Sequence, residues 1–374
     1  QEKIRIITEE ANAFNDEVVE KEMIFYVTGY PKFGKGNNES VAAYVIEGIS
    51  EHAYLSGFKK ISRGYKNPSS VEITNILVND LFVDLNFLDI STGDDISKSK
   101  GVINIQSPLS AVEFFRRNSY DSEGSPYFFY QTLDGVLHFL SVSELSSQEP
   151  IRTFKLIKGA RFESDSLADY QDQKQRVMSM ISNLNLSGYK KGKSGAFSSK
   201  NNYLDWSDKS YKTHNYNYID EISNETTIEK YKVMSQDFKV FDQPLNTLYD
   251  ASCSYISKND SAFTEDINYG SAISKQFHKL KAYTSLLSTF THTLELVGDT
   301  EINAGKIIDL NVPSSIDPSQ RSVAGLGNAV EFDQNMSGRY LITSVMHKVK
   351  DGEYTTSANV CRDSFSSKVT GSGA

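Results

Sequence analysis

The sequence predicts a mainly β protein with α+β character: two related small antiparallel β-barrels, a small α+β domain and an inserted region. Three observations carry that reading. Four runs toward the C-terminal end (residues 291–297, 306–312, 339–349 and 354–362) alternate apolar with polar residues, the period of strands with one buried face. A shorter hairpin pattern near the N-terminal end echoes them. Between the two ends, helical periods stand beside a compact hairpin signal, as in helices packed on a small sheet.

In chain order, residues 3–8 and 22–29 are rich in β-branched and aromatic side chains (Ile4, Ile6, Met23, Ile24, Phe25, Tyr26, Val27). The polar loop Gly34-Lys35-Gly36-Asn37-Asn38 leads to a further strand at 41–47, a hairpin by composition. Phe25-Tyr26-Val27-Thr28 enters that loop much as Tyr340-Leu341-Ile342-Thr343 leads to Asp351-Gly352. Duplication and coincidence explain so short an echo equally well. Residues 1–65 are expected to hold a first barrel. Because Gln1 rather than Met opens the chain just before a strand-like run, the native N-terminus is expected to continue upstream.

Residues 66–150 read as the small α+β domain. Pro68 opens a helix that Ser69 or Ser70 could cap, with Val71, Ile73, Ile76, Leu77 and Leu81 at helical spacing. A second helix at 108–116 places Leu109, Val112 and Phe115 on one side. Strands at 127–131 and 136–142 flank Leu133-Asp134-Gly135, a hairpin signal because Asp and Gly accept positive φ.

Residues 151–185 are expected to begin the second barrel, with 168–181 readable as helix or strand. Residues 186–270 form an insertion or interaction region: 187–218 is polar, rich in Gly, Ser, Asn, Lys and Tyr, and contains Trp206. The stretches 221–237 and 251–260 show no clean period. Residues 271–365 supply a helix at 272–287, whose Ile273, Phe277, Leu280 and Leu287 make one apolar seam, and the rest of the barrel or sandwich. There Leu294 and Leu296 face away from Thr293 and Glu295. Ile308, Leu310 and Val312 oppose Asp309 and Asn311, and Leu341, Thr343, Val345 and Val349 form one face. Asn303-Ala304-Gly305 and Lys350-Asp351-Gly352 supply the turns. The Ser/Gly-rich end, 366–374, is a flexible tail.

At 374 residues the chain is too long for one ordinary core. A hydrophobic fraction of 39% with 21 Tyr and 21 Phe is ample for folded domains. A net charge of −9 argues against tight binding to a phosphate backbone, which needs clustered cations. The short basic patch Lys190-Lys191-Gly192-Lys193 reads as a solvated loop. Cys253 and Cys361 are too few for a disulfide framework, so a reducing compartment is expected, with a single bridge between them left open. No signal peptide is visible, and no run approaches the roughly 20 apolar residues that span a bilayer.

A search for chemistry assigns no catalytic, cofactor-binding or metal-ligating residue. In Gly188-Tyr-Lys-Lys-Gly192-Lys193-Ser194 only three residues separate the glycines, whereas a phosphate loop needs four to wrap its backbone N–H groups around the anion. Gly325-Leu-Gly327-Asn-Ala-Val330 lacks the third glycine of a dinucleotide fingerprint. His52, His138, His214, His278, His292 and His347 show no ligand spacing. Paired carboxylates (Glu9-Glu10, Asp94-Asp95, Glu163 with Asp165) are expected on solvated loops among 48 acidic residues, and no G-x-S-x-G elbow occurs.

The C-terminal strings carry a resemblance. Thr293-Leu-Glu-Leu-Val-Gly-Asp-Thr-Glu-Ile-Asn-Ala-Gly305-Lys-Ile-Ile-Asp-Leu-Asn-Val-Pro313 is followed by Ser337-Gly338-Arg339-Tyr340-Leu-Ile-Thr-Ser-Val-Met-His347 and Gly352-Glu-Tyr-Thr-Thr-Ser-Ala-Asn-Val360. Together they resemble the central baseplate hub proteins of contractile-tailed bacteriophages of the T4 type, and more distantly the hub part of type VI secretion spike proteins. Residues 24–49, 68–82 and 127–140 fit the same order, while 185–260 aligns poorly. The resemblance implies a non-enzymatic homotrimer without cofactors, located at the centre of a virion tail baseplate and assembled in the host cytoplasm. Each chain would give two related barrels to one ring, so that three copies imitate sixfold order. Such a ring joins a trimeric central spike to the hexameric tail tube or its initiator, because assemblies of closed rings need an adaptor where rotational order changes. A tape-measure protein is a further candidate partner, DNA is met only in passage, and no membrane anchoring is implied. The acidic balance would let DNA slide through the channel without sticking. Two rivals from other classes are a cell-envelope hydrolase and a carbohydrate-binding β-module, the latter suggested by the tyrosines and Trp206.

Overall fold

A computed structural model of the chain describes residues 2–11, 18–35, 42–91, 100–156, 167–184, 188–206, 209–221, 226–232, 239–240, 242–258, 269–314, 332–333 and 335–366. The chain divides into two compact units, Gln1–Ser119 with Phe129–Phe139, and Tyr120–Phe128 with Leu140–Ala374.

In the first unit, β1 (Lys3–Ala11), β2 (Val18–Lys35) and β3 (Ala42–Ser50) form an antiparallel sheet in that order. Ile4 faces Phe25 and Ile6 faces Met23 across the β1–β2 ladder. The barrel expected over 1–65 is not shown among the described residues. Among the described residues these strands make an open sheet with edges at β1 and β3, and Ile6, Ile7, Ile24, Val45 and Ile46 remain exposed on it. A barrel needs its first and last strands to pair, and among the described residues β1 and β3 are not neighbours. The sheet gains cover from α1 (Glu51–Phe58), where Tyr54 stacks on Tyr26 at 5.0 Å and Tyr26 donates to Glu51.

Strand β4 (Ile61–Tyr65) then precedes α2 (Ser69–Asn75), which runs on into a π-helical turn at Ile76–Asp80. Pro68, not Ser69 or Ser70, sits at the N-cap, and both serines are buried in the first turn. Ile73, Ile76, Leu77 and Leu81 are buried as their spacing requires, whereas Val71 is exposed. After β5 (Leu88–Ile90) and β6 (Gly101–Gln106), α3 (Pro108–Arg117) buries Val112 and Phe115. Strands β7 (Tyr127–Gln131) and β8 (Leu137–Ser141) turn at Gly135, whose φ of 85° only glycine adopts without strain.

The strand expected at 136–142 stops early. Ser141 accepts from the Glu144 N–H while the Glu144 carboxylate accepts from the Ser141 N–H, a capping box that starts α4 (Val142–Ser147). The stretch read as helix or strand at 168–181 is both. After β9 (Thr153–Leu156), α5 (Leu167–Lys174) ends one residue before β10 (Arg176–Leu184).

The remaining elements divide between a small inserted sheet and the barrel. The insert begins with α6 (Gly188–Ser194), β11 (Ser198–Asp205), β12 (Ser210–Asn217) and α7 (Tyr218–Glu221). Short strands β13 (Tyr231–Lys232), β14 (Lys239–Val240) and β15 (Gln243–Pro244) follow, then β16 (Cys253–Lys258) and α8 (Tyr269–Leu287). The region read as a polar insertion or arm is therefore a folded module. Its sheet has the order β12-β11-β16, and Ala196, Phe197, Tyr216, Tyr218, Ala282 and Leu286 form a core with α8. Tyrosines do here what aliphatic residues do elsewhere, which hides the pattern from a hydropathy reading. The solvated-loop reading of 190–193 is also corrected: these residues are helical, and Lys191 is buried with its Nζ donating to the Ser285 carbonyl at 2.9 Å and to Thr289. Among the described side chains of α8, His278, Ala282, Tyr283 and Leu286 are buried, with Leu280 and Leu287 only half-buried. The side chains of Ile273 and Phe277 lie outside the described residues.

Strands β17 (Phe290–Val297), β18 (Ile307–Asn311), β19 (Gly338–Lys350) and β20 (Glu353–Arg362) are followed by β21 (Ser364–Phe365), which pairs with β13. The barrel closes as β10-β17-β20-β19-β18-β9. Phe154, Val177, Leu294, Leu296, Ile308, Leu310, Tyr340, Ile342, Ala358 and Val360 fill it. On β19 the inward face is Tyr340, Ile342 and Val345 rather than the set beginning Leu341 and Thr343. Thr343 is an extra residue between the pairs Ile342–Val360 and Ser344–Asn359, and such a bulge reverses the phase of every side chain beyond it.

One close approach gives a sharp expectation. A Cβ on Gly298 would lie 2.1 Å from the Tyr354 ring. Gly298→Ala should destabilise the second unit by about 1–3 kcal/mol, the usual cost of overpacking, measured by urea unfolding.

Candidate functional site

The barrel's strands are unequal, and this inequality creates the most distinctive surface. Among the described residues strand β9 pairs with β10 at Arg176 and Val177. Strand β18 pairs with β19 only over Gly338–Leu341, extended by backbone bonds between Ile342 and residues 305–306. Beyond these points β10 continues to Leu184 beside β17 alone, and β19 continues to Lys350 beside β20 alone, among the described residues. Among the described residues four long strands thus form a sheet with an unpaired run at each side: 178–184 on β10, and the part of β19 that carries Ser344, Met346, Lys348 and Val349. An open strand edge presents N–H and C=O groups ready for another chain.

The face of this sheet turned away from the barrel core is set by the registers. Ser179, Glu295, Ser357 and Met346 share one row, and Ile181, Thr293, Asn359 and Ser344 share the next. Side chains bond along the rows: Ser179 Oγ donates to Glu295 at 2.9 Å, Thr293 Oγ1 to Asn359 Oδ1 at 2.7 Å, and Asn359 Nδ2 to Ser344 Oγ at 2.8 Å. Glu295 is the single charge in these two rows. The apolar side chains stand at the rims, where Ile181 is 62% and Met346 61% exposed.

Behind this face the barrel end is closed by a buried cation. Arg362 has no exposed surface. Its guanidinium lies 4.7 Å from the Phe290 ring, 4.8 Å from Tyr340 and 5.4 Å from Phe365. It donates to the carbonyls of Ser337 at 3.0 Å and of Asn335. Next to it the Asp363 carboxylate accepts from the Ile228 N–H, while Glu229 accepts from the Arg339 N–H, clipping 228–229 to the strand ends. Burial pushes the Asp363 carboxyl upward. His292 is held between Ser182 Oγ and the Tyr340 hydroxyl. Burial, with Arg362 nearby, pushes it down to about 4.

The histidines singled out in the sequence are dispersed. His278 receives Ser199 Oγ at its Nδ1, stacks on Tyr216 and is pushed down to about 4 by burial, then by Lys281 and His214. His347 meets the Tyr354 hydroxyl at 2.9 Å. In the first unit, burial pushes His52 down. There too, Asp89, His138 and Thr132 stand in the order of a hydrolase relay, with His138 Nδ1 2.8 Å from Asp89 and Nε2 3.1 Å from Thr132. The Thr132 hydroxyl, however, is directed to Asp134 and the Val136 carbonyl of its own turn, so it is a turn bond and not an aimed nucleophile. Among the described residues no cluster of three His, Cys, Asp or Glu side chains could hold a metal ion, and no helix is long and apolar enough to cross a membrane.

Cys253 is exposed and Cys361 buried, both as free thiols, so the bridge left open in the sequence does not form. Residues 188–194 make a helix rather than a phosphate loop, with Gly192 packed on Leu245. The glycines at 325–327, and the carboxylates Asp94, Asp95, Glu163 and Asp165, lie outside the described residues. Of the exposed aromatics, Tyr211, Tyr255 and Trp206 belong to the inserted module.

No protein-family model matches the chain, and no curated protein does. Among solved structures it is similar to the tail protein from Neisseria meningitidis MC58, at 11% identity and a TM-score of 0.50, covering 96% of this chain and 88% of that one. It is similar also to the 43 kDa tail protein of prophage MuSo2 from Shewanella oneidensis, at 10% identity and a TM-score of 0.50, covering 96% and 90%. At such identities the likeness is one of fold. The chain has the fold of phage tail proteins.

Proposed function

We propose that this chain is a structural hub of a phage tail baseplate, a homotrimeric ring that adapts a threefold central spike to the sixfold tail tube and leaves a channel for DNA. The observation that supports this most is the likeness of fold to tail proteins over 96% of the chain. The closed barrel and the N-terminal sheet with its helix would supply two lobes per copy, six in all, and this offers a trimer to one neighbour and near-sixfold order to the other. The partners are then further copies of the chain, a trimeric spike and a tail-tube or tube-initiating protein. The place of action is the virion tail.

In this reading the chain catalyses nothing. The hydrogen-bonded rows Ser179–Glu295 and Thr293–Asn359–Ser344 would give the channel a hydroxyl and amide wall with one carboxylate per copy, while the exposed Lys348 and Lys350 follow on the same face of β19 beyond those rows. Cryo-electron microscopy of the purified protein should give threefold averages with an open centre. The exposed Tyr211, Tyr255 and Trp206 favour the carbohydrate-binding module as a second reading, and a monomeric particle that binds glycans would replace the hub with it.

A further inference from the structure

We infer that the inserted module carries an acid-opened latch: the sheet β12-β11-β16 lets go of α8 when the surroundings acidify, while the barrel stays closed. The inference does not depend on the hub reading.

The latch is the seam between α8 and the sheet. The strand registers set Ser199, Asn201 and Tyr203 of β11, Lys212, His214 and Tyr216 of β12 and Ser254 of β16 on one face. That face meets α8. The Ser199 hydroxyl donates to His278 Nδ1, and Tyr216 stacks on the His278 ring with centroids 6.0 Å apart and 10° between the planes. His278 is 2% exposed. A second proton on its ring would turn the acceptor of the Ser199 bond into a donor and place a charge inside the seam.

Nothing described on that face would answer the charge. Lys281, one turn along α8, donates from Nζ to Ser252 Oγ at 2.8 Å, and Lys191 of α6 donates to the Ser285 carbonyl at 2.9 Å. Lys212 and His214 stand on the same side of β12. Among the described residues no carboxylate shares the face: Glu221 is drawn to Lys279 at 3.6 Å, Asp250 to Lys200 at 3.3 Å and Asp220 to Asn217. Burial first, then Lys281 and His214, hold His278 down at about 4.

The module is also built to open before the barrel. Its core is Ala196, Phe197, Tyr216, Tyr218, Ala282 and Leu286, and it shares no residue with the larger barrel core. The seam buries Ser199 and Asn201, so hydrogen bonds replace much of the aliphatic packing there. Regions with few buried apolar contacts are those that open locally at the lowest free energy.

Hydrogen exchange of the full chain at pH 7 and pH 5, corrected for the pH dependence of chemical exchange, reads the opening. With His278 at about 4 when closed and near 6.5 when open, linkage makes opening about twentyfold more frequent at pH 5. Amides in 199–204 and 211–216 should show that rise, while those in 354–361 of β20 stay the more protected at both values. His278→Gln should remove the rise, and His292→Gln, in the barrel, should leave it whole. A module whose opening is the same at the two pH values would overturn the latch. So would a rise that His292→Gln diminishes, because the sheet would then open only when the barrel unfolds. That second variant decides the matter also where His278→Gln loosens the module at pH 7.

Discussion

Replacing Arg362 with alanine should cost the barrel unit about 3–5 kcal/mol, the range for leaving partners of a buried charge uncompensated and opening a large cavity. The guanidinium fills the space between Phe290, Tyr340 and Phe365 and occupies the carbonyls of Ser337 and Asn335. Alanine would lose three ring contacts and two hydrogen bonds at once, with only the Ser337 carbonyl keeping a second donor, Ser366 Oγ. For a unit of this size the melting temperature should fall by roughly 6–20 °C. Arg362→Lys should recover only part of the loss, because a single ammonium cannot lie flat against three rings while reaching two carbonyls. Thermal unfolding followed by near-ultraviolet circular dichroism reads both variants. Two melts indistinguishable from wild type would show that the rings pack without the cation.

The second large effect is acid sensitivity. His278 and His292 are both held near 4 by burial, whereas an unfolded histidine takes up its proton near 6.5. Between those values the unfolded chain binds more protons than the folded one, so stability falls as pH falls. The loss should be roughly 2–3 kcal/mol per ring across that window, allowing for some solvent access, and complete by about pH 4. Lys281 and His214 beside His278, and Arg362 beside His292, work in the same direction. Asp363 and Asp309, both raised by burial, work against it, since each takes up a proton more readily folded than unfolded. Their relief accrues as pH falls from each raised folded value to the ordinary carboxylate range. His292→Gln should flatten the decline between pH 6.5 and 4 in urea-unfolding measurements. A wild-type stability independent of pH over that range would refute the assignment.

Legibility in the sequence followed how regular each element is. The four C-terminal strands stood out because Leu294, Leu296, Ile308 and Leu310 alternate without interruption, and Asp351-Gly352 gives the turn its two positive φ values. The β19 face was misassigned because one residue, Thr343, is out of register, and no propensity marks a bulge of that kind. Helix α4 was legible in principle, since Ser141 and Glu144 have capping-box spacing. The inserted module was hidden by composition: its strands bury Tyr203 and Tyr216 together with Ser199 and Asn201, a set that reads as loop.

The site divides the same way. Arg362 occupies an inward position of β20 after Ala358 and Val360, and a cation at that phase is itself the signal. The open rims follow from unequal lengths, 13 residues in β19 against 5 in β18. Pairing partners decide which stretch of a long strand stays open, and those are contacts distant in sequence. The twin barrel is not shown among the described residues for a related reason: the echo lay in Phe25–Thr28 and the loop after it, while closure depends on edge strands finding each other.

That these chains assemble in threes is what the whole functional reading turns on, and native mass spectrometry addresses it directly. The expected result is a dominant species at three times the 41.9 kDa chain mass, persisting on dilution into the low-micromolar range. A spectrum of single chains at every concentration, or of dimers alone, would contradict it.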